Sequence, residues 1–285
     1  MSFELVTNNY GKSDIRLLRV SRSGQQHDIK QIAVDIQFEG DFDAVHIQGD
    51  NSAVLPTDTM KNTVYALAAL EPAGEIENFG TLLVAHFLEN NPQVWRVTVR
   101  IGEHLWSRIA VDGKPHPTAF VSGCHELRTA KVIGTGKQMM VSGGLEELPV
   151  LRTAGSAFTG YIKDAYTTLA ETRDRIFATT INAGWIYTVP DASFGSCREI
   201  IRKALIETFA GHKSESVQHT LYNMAESALE SCNQIREISL SMPNKHHLAF
   251  DLNRFGIEDR AEIFVPTDEP YGLIEATVRR SLLDP

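Results

Sequence analysis

Ile32-Ala33-Val34-Asp35-Ile36-Gln37-Phe38-Glu39 alternates large apolar side chains with small or polar ones. A period of two marks a β-strand with one dry and one wet face, and it favours antiparallel pairing over a parallel sheet buried on both sides. Upstream, Ile15 to Val20 is a second such run; the turn-rich Ser21-Arg22-Ser23-Gly24 between them predicts a hairpin. Downstream, Phe79, Leu82, Leu83 and Phe87 recur at helical spacing, after which Trp95, Val97, Val99 and Ile101 return to alternation. A further hairpin is expected around Gly102, running into Leu105 to Val111 and ending at Asp112-Gly113-Lys114-Pro115-His116-Pro117.

The second half repeats this order. Strand-like stretches at Val141 to Arg152 and Tyr161 to Tyr187 precede a helix with Ile201, Leu205 and Phe209 on one stripe and another with Leu221, Met224 and Ala228. Ile238, Leu240 and Met242 then alternate, with a turn expected at Pro243-Asn244 before Leu248, Phe250 and Leu252. Two copies of one unit (strand pair, helices, strand pair) are therefore expected, residues 1–136 and 137–285, divided at Gly134-Thr135-Gly136-Lys137. Antiparallel strands with helices grouped on one face make an α+β fold. Its open sheet edges call for cover, and oligomerisation supplies it economically.

Composition narrows the function. The 285 residues are 42% hydrophobic and carry a formal net charge of −9. An acidic chain lacks the dense basic footprint that nucleic acid requires, so an anionic ligand must be met by a local patch. No apolar run reaches the roughly 18 residues of a membrane span, and Met1-Ser2-Phe3-Glu4-Leu5-Val6-Thr7 does not read as a signal peptide, so a cytoplasmic protein is expected. Cys124, Cys197 and Cys232 fit neither a disulfide framework nor a zinc knuckle.

Several motifs are set aside. Ile133-Gly134-Thr135-Gly136-Lys137 has the wrong glycine spacing for a phosphate loop and is read as a hairpin turn. No G-x-G-x-x-G, G-x-S-x-G or H-E-x-x-H occurs. Adjacent His246 and His247 face opposite sides of a strand, so no metal site is expected.

Three polar clusters remain. Side chains at i and i+2 of a strand share a face, which lets Asn244 and His246 point into one pocket while His247 points away. Thr57-Asp58 follows Pro56 and opens a helical stretch, where free N–H groups offer a seat for an anion or carbonyl. Ser214-Glu215-Ser216-Val217-Gln218 has the same character in the second half. Each of the two is also what an ordinary helix cap looks like; their recurrence at matching places is what favours a site.

Tyr10-Gly11-Lys12, Thr57-Asp58 with Lys61-Asn62-Thr63, Phe158, Tyr166-Thr167-Thr168-Leu169 with Glu171-Thr172-Arg173-Asp174-Arg175, Ser216-Val217-Gln218 and Pro243-Asn244-Lys245-His246 together resemble the signature of urate oxidase, from Tyr10 to Thr277. That resemblance implies two tandem tunnelling-fold domains, whose sheets close into a barrel when subunits join as a homotetramer with active sites at subunit interfaces. It implies oxidation of urate by O2 to 5-hydroxyisourate and hydrogen peroxide, as a step of purine degradation, with no cofactor and no metal. Carried over residue by residue, Arg175 and Gln218 clamp the purine, Phe158 stacks on it, and the Val217 N–H completes the pocket with Thr57 and Asp58 from a neighbouring subunit. Lys12, Thr57 and His246 form the proton relay, and Asn244 holds oxygen above the ring.

The residues also allow plainer readings: Arg175 paired with Glu171 at the surface, Phe158 in a core, Gln218 solvated, Lys12 in a turn after Gly11. A pterin-processing hydrolase or aldolase on the same scaffold would favour an acidic anchor where Gln218 stands, or a Cys/His zinc set. A non-catalytic purine-binding protein would have no use for Lys12 and Thr57. The ending Arg280 to Pro285 departs from the Ser-Lys-Leu peroxisomal signal, which favours a bacterial cytoplasmic protein.

Overall fold

The computed structural model describes residues 2–70, 74–123, 125–258 and 260–281. Cys124 and the stretch 282–285 thus lie outside the described residues, while Cys197 and Cys232 are buried thiols in no disulfide among the described residues. The chain forms two compact units: Met1–Glu146 with Ile186–Gly195, and Glu147–Trp185 with Ser196–Pro285. The turn Gly136-Lys137 lies within the first unit, joining two paired strands.

Unit 1 contains β1 (Tyr10–Ser23), β2 (Gln26–Gly40), α1 (Asp43–Ile47), α2 (Thr57–Leu70), α3 (Ile76–Asn90), β3 (Val94–His104), β4 (Ser107–Val111), β5 (Lys114–Val121), β6 (Leu127–Thr135) and the start of β7 (Gln138–Arg152). Strands β1, β2, β3, β6 and β7 follow one another across an antiparallel sheet, and β4 pairs with β5 apart from it. The alternation at 32–39 is realised as read: Ile32, Val34, Ile36 and Phe38 are buried. Val34, Ile36 and Phe38 meet Ile101, Val99 and Val97 of β3 in register, and α2 and α3 add Met60, Val64, Leu83, Val84 and Phe87 to this core. Truncating one such side chain, Leu83→Ala for instance, costs about 2–5 kcal/mol. Helix α3 approaches the sheet closely because Gly80 has no Cβ, which would stand 2.8 Å from Val132 Cγ2.

Unit 2 comprises the rest of β7, β8 (Phe177–Tyr187, through Trp185), α4 (Phe194–Gly211, from Ser196), α5 (Val217–Ser231), β9 (Ile235–Ala249) and β10 (Phe264–Arg279). Its strand order is β7, β8, β9, β10. Ile201, Leu205 and Phe209 of α4 and Leu221, Met224 and Ala228 of α5 are buried, as are Ile238, Leu240 and Met242 of β9. These are the stripes that the helical and strand periods mark out.

Three local expectations are corrected. Strand β3 runs through Gly102 to His104, because Glu103 is held inside by Lys30 at 3.3 Å and the pairing with both β2 and β6 continues past the glycine. The hairpin turn is instead Asp112-Gly113, where both residues take positive φ, 50° and 74°, the geometry that suits a two-residue connection. Strand β9 does not turn at Pro243-Asn244: Pro243 faces Leu273 and Asn244 faces Gly272 in the β10 register, and these pairings outweigh the local turn preference of Pro-Asn. The irregularity falls on β10, between Thr267 and Gly272. Tyr161 to Tyr187 is strand only from Phe177; the preceding segment is turns and bends.

Candidate functional site

In unit 2 three segments far apart in sequence are tied by backbone hydrogen bonds. Ala157 N–H donates to the Ser214 carbonyl at 2.7 Å and Ser214 N–H to the Gly155 carbonyl at 3.1 Å. Phe158 and Thr172 exchange N–H to carbonyl bonds of 2.8 and 3.1 Å. Gly155 N–H donates to Asp174 Oδ1 at 2.6 Å. Arg152 anchors the assembly by donating to the carbonyls of Phe209 (3.1 Å), Gly155 (2.5 Å) and His212. Phe158, Arg175 and the start of α5 are thereby drawn to one place.

Arg175 leaves this segment two residues before β8, with its guanidinium carbon 5.5 Å from the centre of the Phe158 ring. It is half-buried and makes no hydrogen bond or ion pair among the described residues; its Nε is fully enclosed without a partner. Burial lowers its pKa from the ordinary arginine value. The group stays cationic regardless, so a buried positive charge stands uncompensated. Glu171, the carboxylate that Arg175 would pair with at a surface, binds Lys163 at 3.0 Å instead. Tyr161 stacks on Phe158 at 4.8 Å, leaving that ring half-buried rather than in a core.

The first turn of α5 is set by Ser216, an extended N-cap whose side chain accepts from His219 N–H at 3.1 Å. Val217 is buried and Gln218 is exposed. Helix α5 packs on both β9 and β10 and is joined to β9 by a short connection. Asn244 and His246 continue the row of Ile238, Leu240 and Met242, the face that α5 covers, and both are half-buried. Neither makes a hydrogen bond to Arg175 or Phe158 among the described residues.

Unit 1 holds the other sequence-predicted residues. A bulge sets two residues, Ser13 and Asp14, against Asp35, and Asp14 N–H donates to Asp35 Oδ1 at 2.7 Å. The bulge keeps Tyr10 and Lys12 on the same face as Ile15 and Leu17, the face toward α2. Lys12 is thus half-buried within β1 and not in a turn. Gly11 beside it is required, since a Cβ would overlap the Ile36 carbonyl oxygen. Thr57 is the first residue of α2, and Met60 N–H donates back to the Pro56 carbonyl at 3.2 Å. Asp58 binds Lys61 at 2.5 Å and Asn62 at 3.0 Å. Lys61 first, then Asn62 and Lys12, hold its carboxyl below the usual carboxylate range. Lys12 and the start of α2 are therefore electrostatic neighbours.

Arg152, Asp174 and Tyr161 were not legible as site residues. Arg152 works through carbonyls three residues or more away, and no local pattern signals that. Among the described residues no group of three or more His, Cys, Asp or Glu converges as a metal site, and no helix is long and apolar enough to cross a membrane.

The family model "Uricase" matches residues 8–133 and 141–275. The uricase of Arthrobacter globiformis is 40% identical over 273 residues, 96% of this chain and 89% of that protein. The uricase of Dictyostelium discoideum is 36% identical over 281 residues, 97% and 98% of the two chains. The crystal structure of the Arthrobacter uricase superposes with a TM-score of 0.94 at 39% identity, covering 100% of this chain and 98% of that one. The tandem antiparallel units with helices on one face are accordingly the tunnelling fold of these enzymes. The chain belongs to the uricase family of oxidoreductases.

Proposed function

We propose that this enzyme oxidises urate with O2 and water to 5-hydroxyisourate and hydrogen peroxide, with neither metal nor organic cofactor, in a cytoplasmic step of purine degradation. The observation that carries the reading is Arg175: a half-buried, unpaired guanidinium over an aromatic ring is suited to a flat anion edged by carbonyl and ring nitrogen atoms. Family membership supports urate as that anion.

In this reading Arg175 and Gln218 hold the ring edge, Phe158 lies against its plane, and the free N–H groups at the start of α5, Val217 included, take a carbonyl. Lys12, Thr57 and His246 relay the proton that urate loses, which makes the ring electron-rich enough to reduce O2. Two electrons leave the ring for O2, water adds its oxygen at C5, and two protons complete the peroxide. Asn244, sharing a face with His246, holds O2 or water above the ring. Lys12, Thr57 and Asp58 are delivered by a neighbouring copy in a homotetramer whose sheets close into a barrel, so a monomer is inactive.

The test is to incubate chelator-treated protein with urate in air. One peroxide formed per urate consumed is expected; unchanged urate absorbance, or activity restored only by added metal, overturns the proposal.

A further inference from the structure

The sheet of unit 1 has a second face, away from α3, on which β2 and β3 present Asp35, Gln37, Glu39, Arg96, Thr98 and Arg100. In the cross-strand register Asp35 lies opposite Arg100, Arg100 opposite Lys131, and Lys131 opposite Ser142. Residues directly opposite share a face, so Arg100 and Lys131 set two like charges side by side, an arrangement that destabilises a sheet. Asp35 keeps its negative charge opposite Arg100, so the row of Asp35, Arg100 and Lys131 carries a net single positive charge. Asp35 accepts from Asp14 N–H at 2.7 Å, and Glu39 pairs with Arg96 at 3.5 Å. Neither Arg100 nor Lys131 has a hydrogen bond or ion pair among the described residues. Burial first, then the neighbouring Arg100 and Arg96 guanidiniums, lower the Lys131 pKa. A recess of about 240 Å³ opens on the Asp35 side of Arg100, lined also by Asn9, Ser13, Asp35 and Gln37; Lys131 and Ser142 lie on the other side of Arg100, outside its lining.

Two adjacent cations are relieved when an anion lies between them. We propose that this face binds one small oxyanion, bridged between the Arg100 guanidinium and the Lys131 ammonium, with the Ser142 hydroxyl in the same row as a further donor. The bound anion relieves the cross-strand repulsion and therefore also stabilises the sheet. The site belongs to unit 1 alone and does not depend on the urate reading.

Inorganic phosphate is the probe, titrated calorimetrically into the full chain at low salt without urate. Binding of one phosphate per chain is expected at about millimolar Kd, and Lys131→Met and Arg100→Gln should each weaken it about tenfold or more. Lys203→Met, an exposed cation on α4, should leave it unchanged, and all titrations are made on the Arg175→Ala background, so that phosphate held at Arg175 does not contribute. If Lys131→Met disturbs folding, Lys131→Arg must retain binding while Arg100→Gln loses it. Adding urate distinguishes the physiological source: displacement of phosphate assigns the patch to substrate recruitment, and its persistence assigns it to inorganic anions. Equal phosphate affinity in the Arg175→Ala parent, Lys131→Met and Arg100→Gln, or no binding by that parent, overturns the site.

Discussion

The Arg175 guanidinium carbon stands 5.5 Å from the centre of the Phe158 ring, with nothing else among the described residues to neutralise it. The two side chains reach this position from segments tied through the Phe158–Thr172 bridge, so the backbone holds their attachment points close together. A charge enclosed without a partner is costly, and it persists in a fold where a ligand supplies the partner.

Arg175→Ala should therefore raise KM for urate and Ki for purine inhibitors. Charged hydrogen bonds contribute about 1.5–3 kcal/mol, which is roughly a 10- to 150-fold loss. Phe158→Ala removes stacking of about 0.5–1.5 kcal/mol and should cost less. Arg175→Lys should not restore affinity, because an ammonium lacks the planar fork. Steady-state kinetics with inhibitor titration decides it; unaltered inhibitor affinity in Arg175→Ala would remove the clamp.

Lys12 and the first turn of α2 are neighbours through the β1 bulge, and this supports a role in the chemical step. Lys12→Met should lower kcat by roughly 10²–10⁴ with KM little changed, the range for a positioned proton acceptor. Lys12→Arg keeps the charge but cannot take a proton, so it should be as slow. Thr57→Val should fall in the same direction. A KM increase with unchanged kcat in both Lys12 variants would make Lys12 a binding group instead.

Ser216 caps α5, and both Val217 and Gln218 depend on that cap for their placement. Ser216→Ala should cost about 0.5–2 kcal/mol of stability. Ser216→Asp, which accepts the same His219 N–H, should recover it. Denaturant unfolding measures the first effect, and KM for urate should rise in Ser216→Ala and return in Ser216→Asp. A stability loss with unaltered KM would show that the cap serves the helix only.

Much of this was written in periodicity. The row Val34, Ile36, Phe38 and the stripes Leu205, Phe209 and Leu221, Met224 declared their elements because burial enforces spacing on side chains. Asn244 and His246 were readable as one face for the same reason. Pro243-Asn244 misled because turn preference is local and weak, whereas β9 is held by its register with β10. Likewise Gly102 carried no turn once β2 and β6 paired across it. The knot of Arg152, Gly155 and Ser214 was not legible at all: its bonds end on backbone carbonyls, which have no sequence signature.

The same holds for a buried cluster outside the site, which sets a final prediction. Arg128 pairs with Glu75 and, at 2.6 Å, with Glu77, which is 1% exposed; Tyr187 O–H donates to the other Glu77 oxygen at 3.3 Å. Glu103, shared with Lys30, completes the group at 3.8 Å from Arg128. Burial raises the Glu77 pKa above its ordinary 4.5, and the attraction of Arg128 offsets this only in part. A carboxyl whose folded pKa is raised binds its proton more tightly in the folded state than in the unfolded one. Its contribution to stability is full below pH 4.5 and is lost as pH rises through the folded value. Glu77→Gln, which mimics the protonated form and keeps an acceptor for Tyr187, should gain stability relative to wild type as pH climbs through that window. Arg128→Met leaves Glu77 buried without its cation and should cost about 3–5 kcal/mol at neutral pH. Urea unfolding across the pH range measures both, and a Glu77→Gln difference that is constant with pH would show that folding does not shift the Glu77 pKa.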